Sequence, residues 1–417
     1  MEKIINEKTL LGINGLGRIG KLSLWYHLLS RSFDGVVINV GREVGKSLED
    51  LIQTISSDST YGLLDHFLYG HSGKTCNFEI CDREKFYIKI DGYPVKFLTV
   101  DRNPMDIKWK NEGVSIVVDC TGRFLDPTVA ANHQSGSVQG HLTAGAQKVI
   151  VSAPFKIKNA TAEDDKNFPT FIYGINHSDY NPLKQHIISA ASCTTTGLAH
   201  MINPLLEDKE TNNILTASMS TVHAATNTQS VLDSVPATGA SDLRKNRSVL
   251  NNIILSTTGA AKTLEKVLPE IINFGFMADS IRIPTSTVSL IALNITFNSR
   301  LDENGMPMLN AEYIKNIYDM MAKGPQKGLL HFSEKQSVSA DMLGYNAAVV
   351  IEGNEIHTRT GFLKLPAEIL EMAGVKNAQN VNIPVTHAKI MGWYDNEFGS
   401  YVNSLGKLTE HVASHLG

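Results

Sequence analysis

The stretch GINGLGRIG, residues 12–20, decides the fold of the first half of this 417-residue chain. It follows the short apolar run LLGIN and opens RIGKLSLWYHLLS, in which apolar residues recur at helical spacing. Gly15, Gly17 and Gly20 thus form a G-x-G-x-x-G pattern between a strand and a helix. In that context the first glycine permits a tight turn, the second lets the backbone approach a pyrophosphate, and the third lets the helix pack on the strand. We interpret the stretch as a dinucleotide-binding loop rather than as a plain glycine turn.

The runs that follow predict the class of the fold. GVVIN (35–39), VSIVVDCTG (114–122) and KVIVSAP (148–154) are rich in Val and Ile and have the length of buried strands. Together with the helical stretch after the glycine loop, they give the β-α-β rhythm of a parallel sheet covered by helices. The first half therefore predicts an α/β, Rossmann-type, doubly wound dinucleotide-binding domain.

The second half has a different pattern. NILTASMSTVHAAT (213–226) and VSLIALNITF (288–297) have the length of long strands, and helices are predicted at 260–271 and 311–324. We expect this half to form an α+β catalytic domain with a mixed or antiparallel sheet.

The length of the chain exceeds that of a usual single domain, and we expect one boundary just before Cys193. Residues 1–192 would form the dinucleotide-binding domain, completed by a C-terminal helix at 397–417. Residues 193–394 would form the catalytic domain, with an enlarged segment at 342–392. Cys193 would then lie at the seam of the two domains, where small-molecule sites are common.

The composition is that of an ordinary globular protein, 42% hydrophobic and 19% charged. A net charge of −4 gives no sign of a nucleic-acid partner. The N-terminal residues lack a signal-peptide pattern, and no run of about 18 apolar residues predicts a membrane span. The 4 cysteines lack zinc-ligand spacing, so we expect no metal site and a cytoplasmic protein.

The end of the second predicted strand bears on the choice of dinucleotide. In NAD-binding domains with the G-x-G-x-x-G pattern, a carboxylate at this position binds the ribose 2′-hydroxyl. Val40 occupies that position in this chain. Arg42 follows, and an arginine near a missing carboxylate is the arrangement that accommodates a 2′-phosphate. Alternatively, Glu43 takes over the carboxylate's task, or Arg42 is a solvated loop residue. Both NAD and NADP remain open, with NADP favoured.

The sequence SAASCTTTGLAH (189–200) sets Cys193 among small and hydroxyl residues at the start of a predicted helix. Free N–H groups at a helix start favour a thiolate or a bound anion. His223, near the end of a predicted strand, is a candidate partner that would stabilise a thiolate–imidazolium pair. A lone histidine on a strand is more often a packed residue, and spacing alone does not decide between the two.

The motifs GINGLGRIG, SAASCTTT, TVHAATNTQ, TTGAAK, RIPTSTVSL and GWYDNEFG occur in this order. Together they resemble the phosphorylating glyceraldehyde-3-phosphate dehydrogenase family from about residue 10 to 410, with insertions. The resemblance implies that glyceraldehyde 3-phosphate and inorganic phosphate are converted to 1,3-bisphosphoglycerate through a cysteine thioester, with hydride transfer to NAD or NADP. It also implies a homotetramer.

The resemblance assigns roles to individual residues. Cys193 would be the nucleophile and His223 the base. Thr226 and Arg282 would hold the substrate phosphate. The attacking phosphate would be held by Ser192, Thr194, Thr258 and Gly259, although the last two also suit a helix N-terminus. Besides Arg42, the cofactor would contact Gly15, Gly17, Arg18, Ile19, Gly20, Arg102, Thr121, Gly122 and Asn396, the last through the nicotinamide carboxamide.

This chain departs from the family at several places. Besides Val40, the family's SCTTN is SCTTT here, and NEFGY is NEFGS. Ser234 stands where NAD-specific members tend to have a bulky apolar residue, which again favours NADP. Loops are enlarged at 128–147, 156–170 and 342–392. None of these changes removes a catalytic group.

Two alternatives are open. A relative acting on erythrose 4-phosphate would typically lack Thr226 and the TTGAAK loop, and both are present. A non-catalytic binding relative would have no need to keep Cys193, His223, Arg282 and Asn396. The sequence therefore favours the acyl-phosphate-forming dehydrogenase, without deciding the physiological direction.

Overall fold

A computed structural model describes residues 9–227 and 229–416 of the chain. The chain divides into two compact units. The first ends at Thr196 and is completed by the segment that begins at Glu397, and the second runs from Gly197 to Asn396. The first division therefore falls at Thr196, inside a helix, whereas the sequence led us to expect it at Ser192.

The first unit is built on Val- and Ile-rich strands. They are β1 Leu10–Asn14, β2 Gly35–Asn39, β3 Ser57–Asp58, β4 Gly62–Leu63, β5 Phe78–Asp82, β6 Tyr87–Ile90, β7 Tyr93–Leu98, β8 Val114–Asp119, β9 Lys148–Val151 and β10 Ile187–Ser189. All but β3 and β4, which pair with each other, form an eight-stranded sheet in the order β10-β9-β8-β1-β2-β7-β6-β5.

The central strands of this sheet are parallel, and β1 lies between β2 and β8. At one edge, β6 pairs in antiparallel fashion with both β5 and β7. Strand order reverses at β1, so a crevice is expected at the carboxyl ends of β1, β2 and β8. The doubly wound, Rossmann-type fold predicted from the sequence is confirmed.

Helices connect these strands: α1 Arg18–Ser30, α2 Leu48–Ser56, α3 Leu64–Tyr69, α4 Gln139–Thr143 and α5 Ala162–Asn167. Helix α1 buries Leu22, Leu24 and Trp25 completely, as its apolar spacing predicts. The short helices α4 and α5 lie in the enlarged segments 128–147 and 156–170.

Helix α6, Cys193–Glu207, runs across the division into the second unit. The strands of that unit are β11 Ile214–His223, β12 Ile254–Thr257, β13 Gly275–Arg282, β14 Ser289–Asn298, β15 Leu330–Ser333, β16 Val349–Glu352, β17 His357–Leu365 and β18 Val381–Tyr394. They form one sheet in the order β12-β13-β11-β14-β18-β16-β15, and β17 pairs with β18. The sheet is mixed, because β11 is parallel to β13 and β15 to β16.

The remaining helices of the second unit are α7 Ala260–Val267, α8 Ala311–Lys323 and α9 Ala367–Met372. Helix α7 ends at Val267 and a 3-10 turn at Pro269–Asn273 follows it, so the helix predicted within 260–271 closes near Pro269. The enlarged segment 342–392 is largely the long β17–β18 hairpin with α9 at its tip. In it, β17 pairs with β18, an interior strand of the sheet.

The chain returns to the first unit through a π-helical turn, Phe398–Asn403, and helix α10, Ser404–Ala413. Val402 and Leu405 from this segment join Trp25 in the main core of the first unit. Across the part of the chain that the structure describes, no helix has the length and apolar character needed to cross a membrane.

Candidate functional site: a dinucleotide cleft and a cysteine at a helix start

A cleft of about 420 Å³ opens at the carboxyl ends of β1, β2 and β8, where the reversal of strand order predicts one. Five of the residues that the sequence assigned to a cofactor line it: Gly15, Gly17, Arg42, Arg102 and Thr121. Val40 also lines the cleft. The sequence did not single out the remaining lining residues, which are Asn14, Asn39, Gly41, Cys120, Arg123 and Phe124.

The three glycines of the loop meet three different demands. Gly15 has a φ of +98°, a backbone conformation that other residues rarely adopt. A Cβ on Gly20 would come within 1.9 Å of the Gly15 carbonyl oxygen, so only glycine lets α1 pack on the turn. A Cβ on Gly17 would meet no atom within 4 Å, so the backbone there faces open space that a pyrophosphate can enter. The loop therefore fits an NAD-type dinucleotide.

Arg18 is placed differently from what its assigned role suggests. Its guanidinium forms ion pairs with Asp58 at 3.2 Å and Glu397 at 2.9 Å, and Lys21 joins Asp58 at 2.8 Å. Burial opposes ionisation of Asp58, yet the hydrogen bond from Lys21 and the neighbouring charges hold its pKa below the usual value. Because the side chain of Arg18 is engaged, a pyrophosphate would be met by the backbone N–H groups of Arg18 and Ile19 in the first helical turn.

A buried carboxylate lies beneath the cleft at the end of β8. Asp119 accepts hydrogen bonds from the backbone N–H and hydroxyl of Thr121, from Asn14 Nδ2 and from His141 Nε2. Trp109 Nε1, which can only donate, bonds to His141 Nδ1, so the proton of this imidazole is on Nε2. Burial raises the pKa of Asp119, but the hydrogen bonds from His141, Thr121 and Asn14 outweigh burial and keep the pKa below its usual value.

Two arginines line the cleft. Arg102 donates from Nε to the carbonyl oxygen of Gly41, and a Cβ on Gly41 would collide with Arg102. Arg42 lines the cleft with an exposed side chain. Gly122 follows Thr121 with a φ of +64°, but it does not belong to the cleft lining.

Cys193 is the first residue of helix α6. Ser192 acts as the N-cap, because its hydroxyl accepts from the backbone N–H of Thr195 at 3.2 Å. Its hydroxyl also bonds to the Thr195 hydroxyl at 2.8 Å. Ser400, in the NEFGS stretch, donates to the carbonyl oxygen of Cys193 at 2.8 Å. Cys193 thus lies in the first turn of a well-capped helix, a position that favours the thiolate.

The backbone just before Cys193 is strained. Ala191 is fully buried and has a φ of +57°, in the left-handed region that favours glycine. The hydroxyl of Tyr401 donates to its carbonyl oxygen, and its N–H donates to the hydroxyl of Ser189. These bonds hold the sharp turn from β10 into α6 that puts Cys193 in the first helical turn. Strain of this kind is concentrated at functional sites.

His223 and Arg282 lie side by side in the second unit. They are the last residues of β11 and β13, and the parallel register pairs them directly. Arg282 Nη1 is 2.5 Å from His223 Nδ1, which is also 2.8 Å from the carbonyl oxygen of Ala224. A guanidinium can only donate, so Nδ1 accepts from Arg282 in this arrangement.

The surroundings of His223 oppose its protonation. Burial, followed by the charge of Arg282, lowers the pKa of His223 to about 4. The imidazolium of a thiolate–imidazolium pair, one of the two alternatives that the sequence leaves open for His223, is therefore disfavoured in this arrangement. At neutral pH the ring is an uncharged imidazole.

Asn396 is connected to the same region through Ser289, which the sequence did not single out. The Ser289 hydroxyl donates to Asn396 Oδ1 at 2.9 Å and accepts from the backbone N–H of Ala224 at 3.1 Å. Val288, directly before it, has a φ of +66°, which is costly for a β-branched residue. Because the Asn396 carbonyl is bound, its Nδ2 is the group that can donate to a carboxamide oxygen.

The residues expected to bind phosphate make local contacts. The backbone N–H and the hydroxyl of Thr226 both donate to Gln229 Oε1. The hydroxyl of Thr258 accepts from the N–H of Ala260 at 3.2 Å, and Gly259 is the N-cap of α7. Thr258 and Gly259 therefore have the helix-capping role that the sequence left open. Thr194 is buried in the first turn of α6.

Comparison with known proteins identifies the family. Residues 9–127 match the model for the glyceraldehyde 3-phosphate dehydrogenase NAD binding domain, and residues 192–367 match the model for the C-terminal domain. The chain belongs to the glyceraldehyde-3-phosphate dehydrogenase family.

Relatives in this family match nearly the whole chain. The glyceraldehyde-3-phosphate dehydrogenase of Lyophyllum shimeji is 33% identical over 93% of both chains. The cytosolic one of Chlamydomonas reinhardtii is 31% identical over 97% of both. The chloroplastic one of Arabidopsis thaliana is 30% identical over 97% of this chain and 78% of its own. The chain is therefore a dehydrogenase of glyceraldehyde-3-phosphate dehydrogenase type with an NAD-type cofactor.

In this member of the glyceraldehyde-3-phosphate dehydrogenase family, the described residues contain no cluster of His, Cys, Asp and Glu suited to a metal ion. Sequence reasoning missed the side chains that orient the site: Asn39, Asp119 and Ser289. The signal for Asp119 was present, since it ends a strand that points at the crevice. For Ser289 there was none, because its partners are distant in sequence.

Proposed function

We propose that this chain is a phosphorylating glyceraldehyde-3-phosphate dehydrogenase with Cys193 as its nucleophile. The observation that carries the proposal is the position of Cys193 as the first residue of α6, behind the N-cap Ser192. A helix start lowers the pKa of a thiol and thereby supplies the reactive thiolate.

The thiolate of Cys193 attacks the aldehyde carbon of glyceraldehyde 3-phosphate, so that a C–S bond forms and the C=O π bond breaks. The carbonyl oxygen takes up the proton that the thiol lost, which gives a hemithioacetal. When bound, NAD or NADP supplies the hydride acceptor that oxidises this adduct to a thioester. An oxygen of inorganic phosphate then attacks the thioester carbon, the C–S bond breaks, and 1,3-bisphosphoglycerate leaves. Cysteine suits both steps, because a thiolate is a good nucleophile and a good leaving group.

His223 serves as the base that removes the proton of the hemithioacetal hydroxyl. In the arrangement described above, Nδ1 accepts from Arg282, so the proton of the ring is on Nε2. When the substrate phosphate binds Arg282, Nδ1 is released to donate to the Ala224 carbonyl, 2.8 Å away. The proton then moves to Nδ1, and Nε2 becomes the basic nitrogen. Losing the adjacent cation also raises the pKa of His223.

Thr226 contributes to the site of the substrate phosphate with Arg282. Ser192, Thr194, Thr258 and Gly259 contribute to the site of the attacking phosphate. Hydroxyls and N–H groups at two helix starts are the donors that such anions require. Ser192 and Thr258 would both cap a helix and bind the attacking phosphate, because a capping hydroxyl lies at the positive end of its helix.

The cleft of the first unit holds the dinucleotide. Its pyrophosphate meets the backbone at Gly15, Gly17, Arg18, Ile19 and Gly20. Arg42 and Arg102 would bind its adenosine end, and Thr121, which lines the cleft, would contact it together with the adjacent Gly122. By family resemblance, Asn396 Nδ2 would donate to the nicotinamide carboxamide. The two units have these roles as the dinucleotide-binding and catalytic domains.

By family resemblance we also propose a homotetramer acting in the cytoplasm. The curated relatives include both cytosolic and chloroplastic proteins. Analytical ultracentrifugation of the purified chain tests the assembly, and a species smaller than a tetramer would refute it.

The reaction is tested by following dinucleotide reduction with glyceraldehyde 3-phosphate, with and without inorganic phosphate. We expect reduction that depends on phosphate and is lost in Cys193→Ser. Cys81→Ser is the matched control, because Cys81 is exposed and lies away from the cleft. Absence of reduction by folded protein, or a clear preference for erythrose 4-phosphate, would refute the proposal.

A further inference from the structure

The adenosine end of the cleft contains a polar side chain with no assigned role. Asn39 is the last residue of β2, which is where a dinucleotide fold places the group that holds the ribose 2′-hydroxyl. It lines the cleft although only 2% of it is exposed. Val40, which stands in place of the family's acid, offers no polar side chain. Asn39 is therefore the nearest candidate for that role.

The orientation of the Asn39 amide is determined by the buried carboxylate. Asp119 is ionised and can only accept, so Asn14 must present Nδ2 to it, at 2.9 Å. Asn14 Oδ1 then accepts from Asn39 Nδ2 at 2.8 Å. The same Nδ2 donates to the backbone carbonyl of Asp101 at 3.0 Å. Reversing the Asn39 amide would bring its oxygen against two acceptors.

This alternation of donors and acceptors leaves Asn39 Oδ1 as the unpaired atom of an amide whose residue lines the cleft. Within residues 9–227 and 229–416 this atom has no hydrogen-bond partner, although it is buried. A buried acceptor without a donor is uncommon and costly in a folded protein. A ligand that donates a hydrogen bond would therefore suit this atom, and a phosphate dianion can only accept hydrogen bonds.

We propose that Asn39 Oδ1 accepts a hydrogen bond from the adenosine ribose 2′-hydroxyl and that this chain thereby selects NAD over NADP. The inference rests on the proposed function. It reverses the preference for NADP that Val40 and Arg42 suggested from the sequence. A 2′-phosphate would leave Oδ1 without a donor and would place its negative charge toward a fixed carbonyl oxygen.

The arginines do not restore a 2′-phosphate site. Arg102 has its Nε committed to the carbonyl oxygen of Gly41 at 2.9 Å. Arg42 is exposed, where a single charge-assisted contact is weakened by solvent and salt. The neutral acceptor at Asn39 is rigidly oriented and buried, so it decides between hydroxyl and phosphate.

The test is calorimetric binding of three probes to the full chain: ADP-ribose, its 2′-phosphorylated form, and the form whose adenosine lacks the 2′-hydroxyl. We expect ADP-ribose to bind about tenfold more tightly than either of the others. In Asn39→Ala, ADP-ribose and the 2′-deoxy form should bind equally. If this variant does not fold, the three probes on the unmodified protein still decide the matter.

Arg42→Ala is the matched variant at the same end of the cleft, and it should leave the order of the three affinities unchanged. Equal or tighter binding of the 2′-phosphorylated probe would overturn this inference while leaving the proposed function intact. Equal binding of ADP-ribose and its 2′-deoxy form by the unmodified protein would do the same. Binding of none of the three would overturn the proposed function, and this inference with it.

Discussion

The contact between Arg282 and His223 leads to a quantitative prediction. The pKa of His223 is lowered from 6.5 to about 4, first by burial and second by the charge of Arg282. Arg282→Gln removes the charge and leaves the burial. Since burial is the larger cause, we expect the pKa to rise by about one unit, which corresponds to about 1.4 kcal/mol.

The same shift gives the pH dependence of stability. Between pH 6.5 and about 4 the unfolded chain binds a proton at His223 that the folded chain excludes. Above pH 6.5 neither state binds this proton and His223 costs no stability. As the pH falls from 6.5 toward 4, proton uptake by the unfolded chain lowers the free energy of unfolding. The loss approaches about 3 kcal/mol in the unmodified protein and about 2 kcal/mol in Arg282→Gln.

Histidine NMR resonances, followed from pH 3.5 to 7.5, measure the pKa directly, with His223→Gln identifying the signal. Arg300→Gln is the control, because Arg300 has a 67% exposed side chain and pairs with Glu210. It should leave the pKa of His223 unchanged. The reasoning fails if His223 titrates near 6.5 in the unmodified protein, or if Arg282→Gln leaves its pKa in place.

Three further predictions concern the architecture of the site. Gly20→Ala forces a Cβ against the Gly15 carbonyl and should cost about 3 kcal/mol in thermal unfolding, whereas Gly17→Ala should stay folded and lose dinucleotide affinity in calorimetry. Ser289→Ala leaves a buried backbone N–H without its acceptor and should cost about 2 kcal/mol in denaturant unfolding; an unchanged midpoint would contradict the bridge described above. Asp58→Asn breaks a mostly buried ion-pair cluster and should lower the free energy of unfolding by about 3 kcal/mol at pH 7. Because the pKa of Asp58 is lowered in the folded chain, this difference should shrink as the pH falls below the usual range of a carboxyl.

Local sequence was sufficient for most of the fold. The first and second strands and the helix beginning at Arg18 have the predicted bounds, because glycine chemistry and apolar periodicity act over a few residues. The start of α6 at Cys193 also follows from local signals, since Ser192 is a strong capping residue.

Contacts between distant segments could not be read in this way. His223 and Arg282 are adjacent only because β11 and β13 pair in parallel with one particular register. No local signal points to Asn39, because its role depends on Asp119, to which it is connected through Asn14 by two hydrogen bonds. The change from NEFGY to NEFGS was noted as a departure, but the bond from Ser400 to Cys193 was not foreseeable.

The central claim is that Cys193 carries the acyl group, and peptide mapping by mass spectrometry after a single turnover tests it most directly. The protein is mixed with dinucleotide and glyceraldehyde 3-phosphate in the absence of inorganic phosphate, quenched in acid and digested. The account predicts a 3-phosphoglyceroyl thioester on the peptide that contains Cys193. This thioester should disappear when inorganic phosphate is added before the quench. An acyl group on another residue, or dinucleotide reduction without any adduct at Cys193, would contradict it.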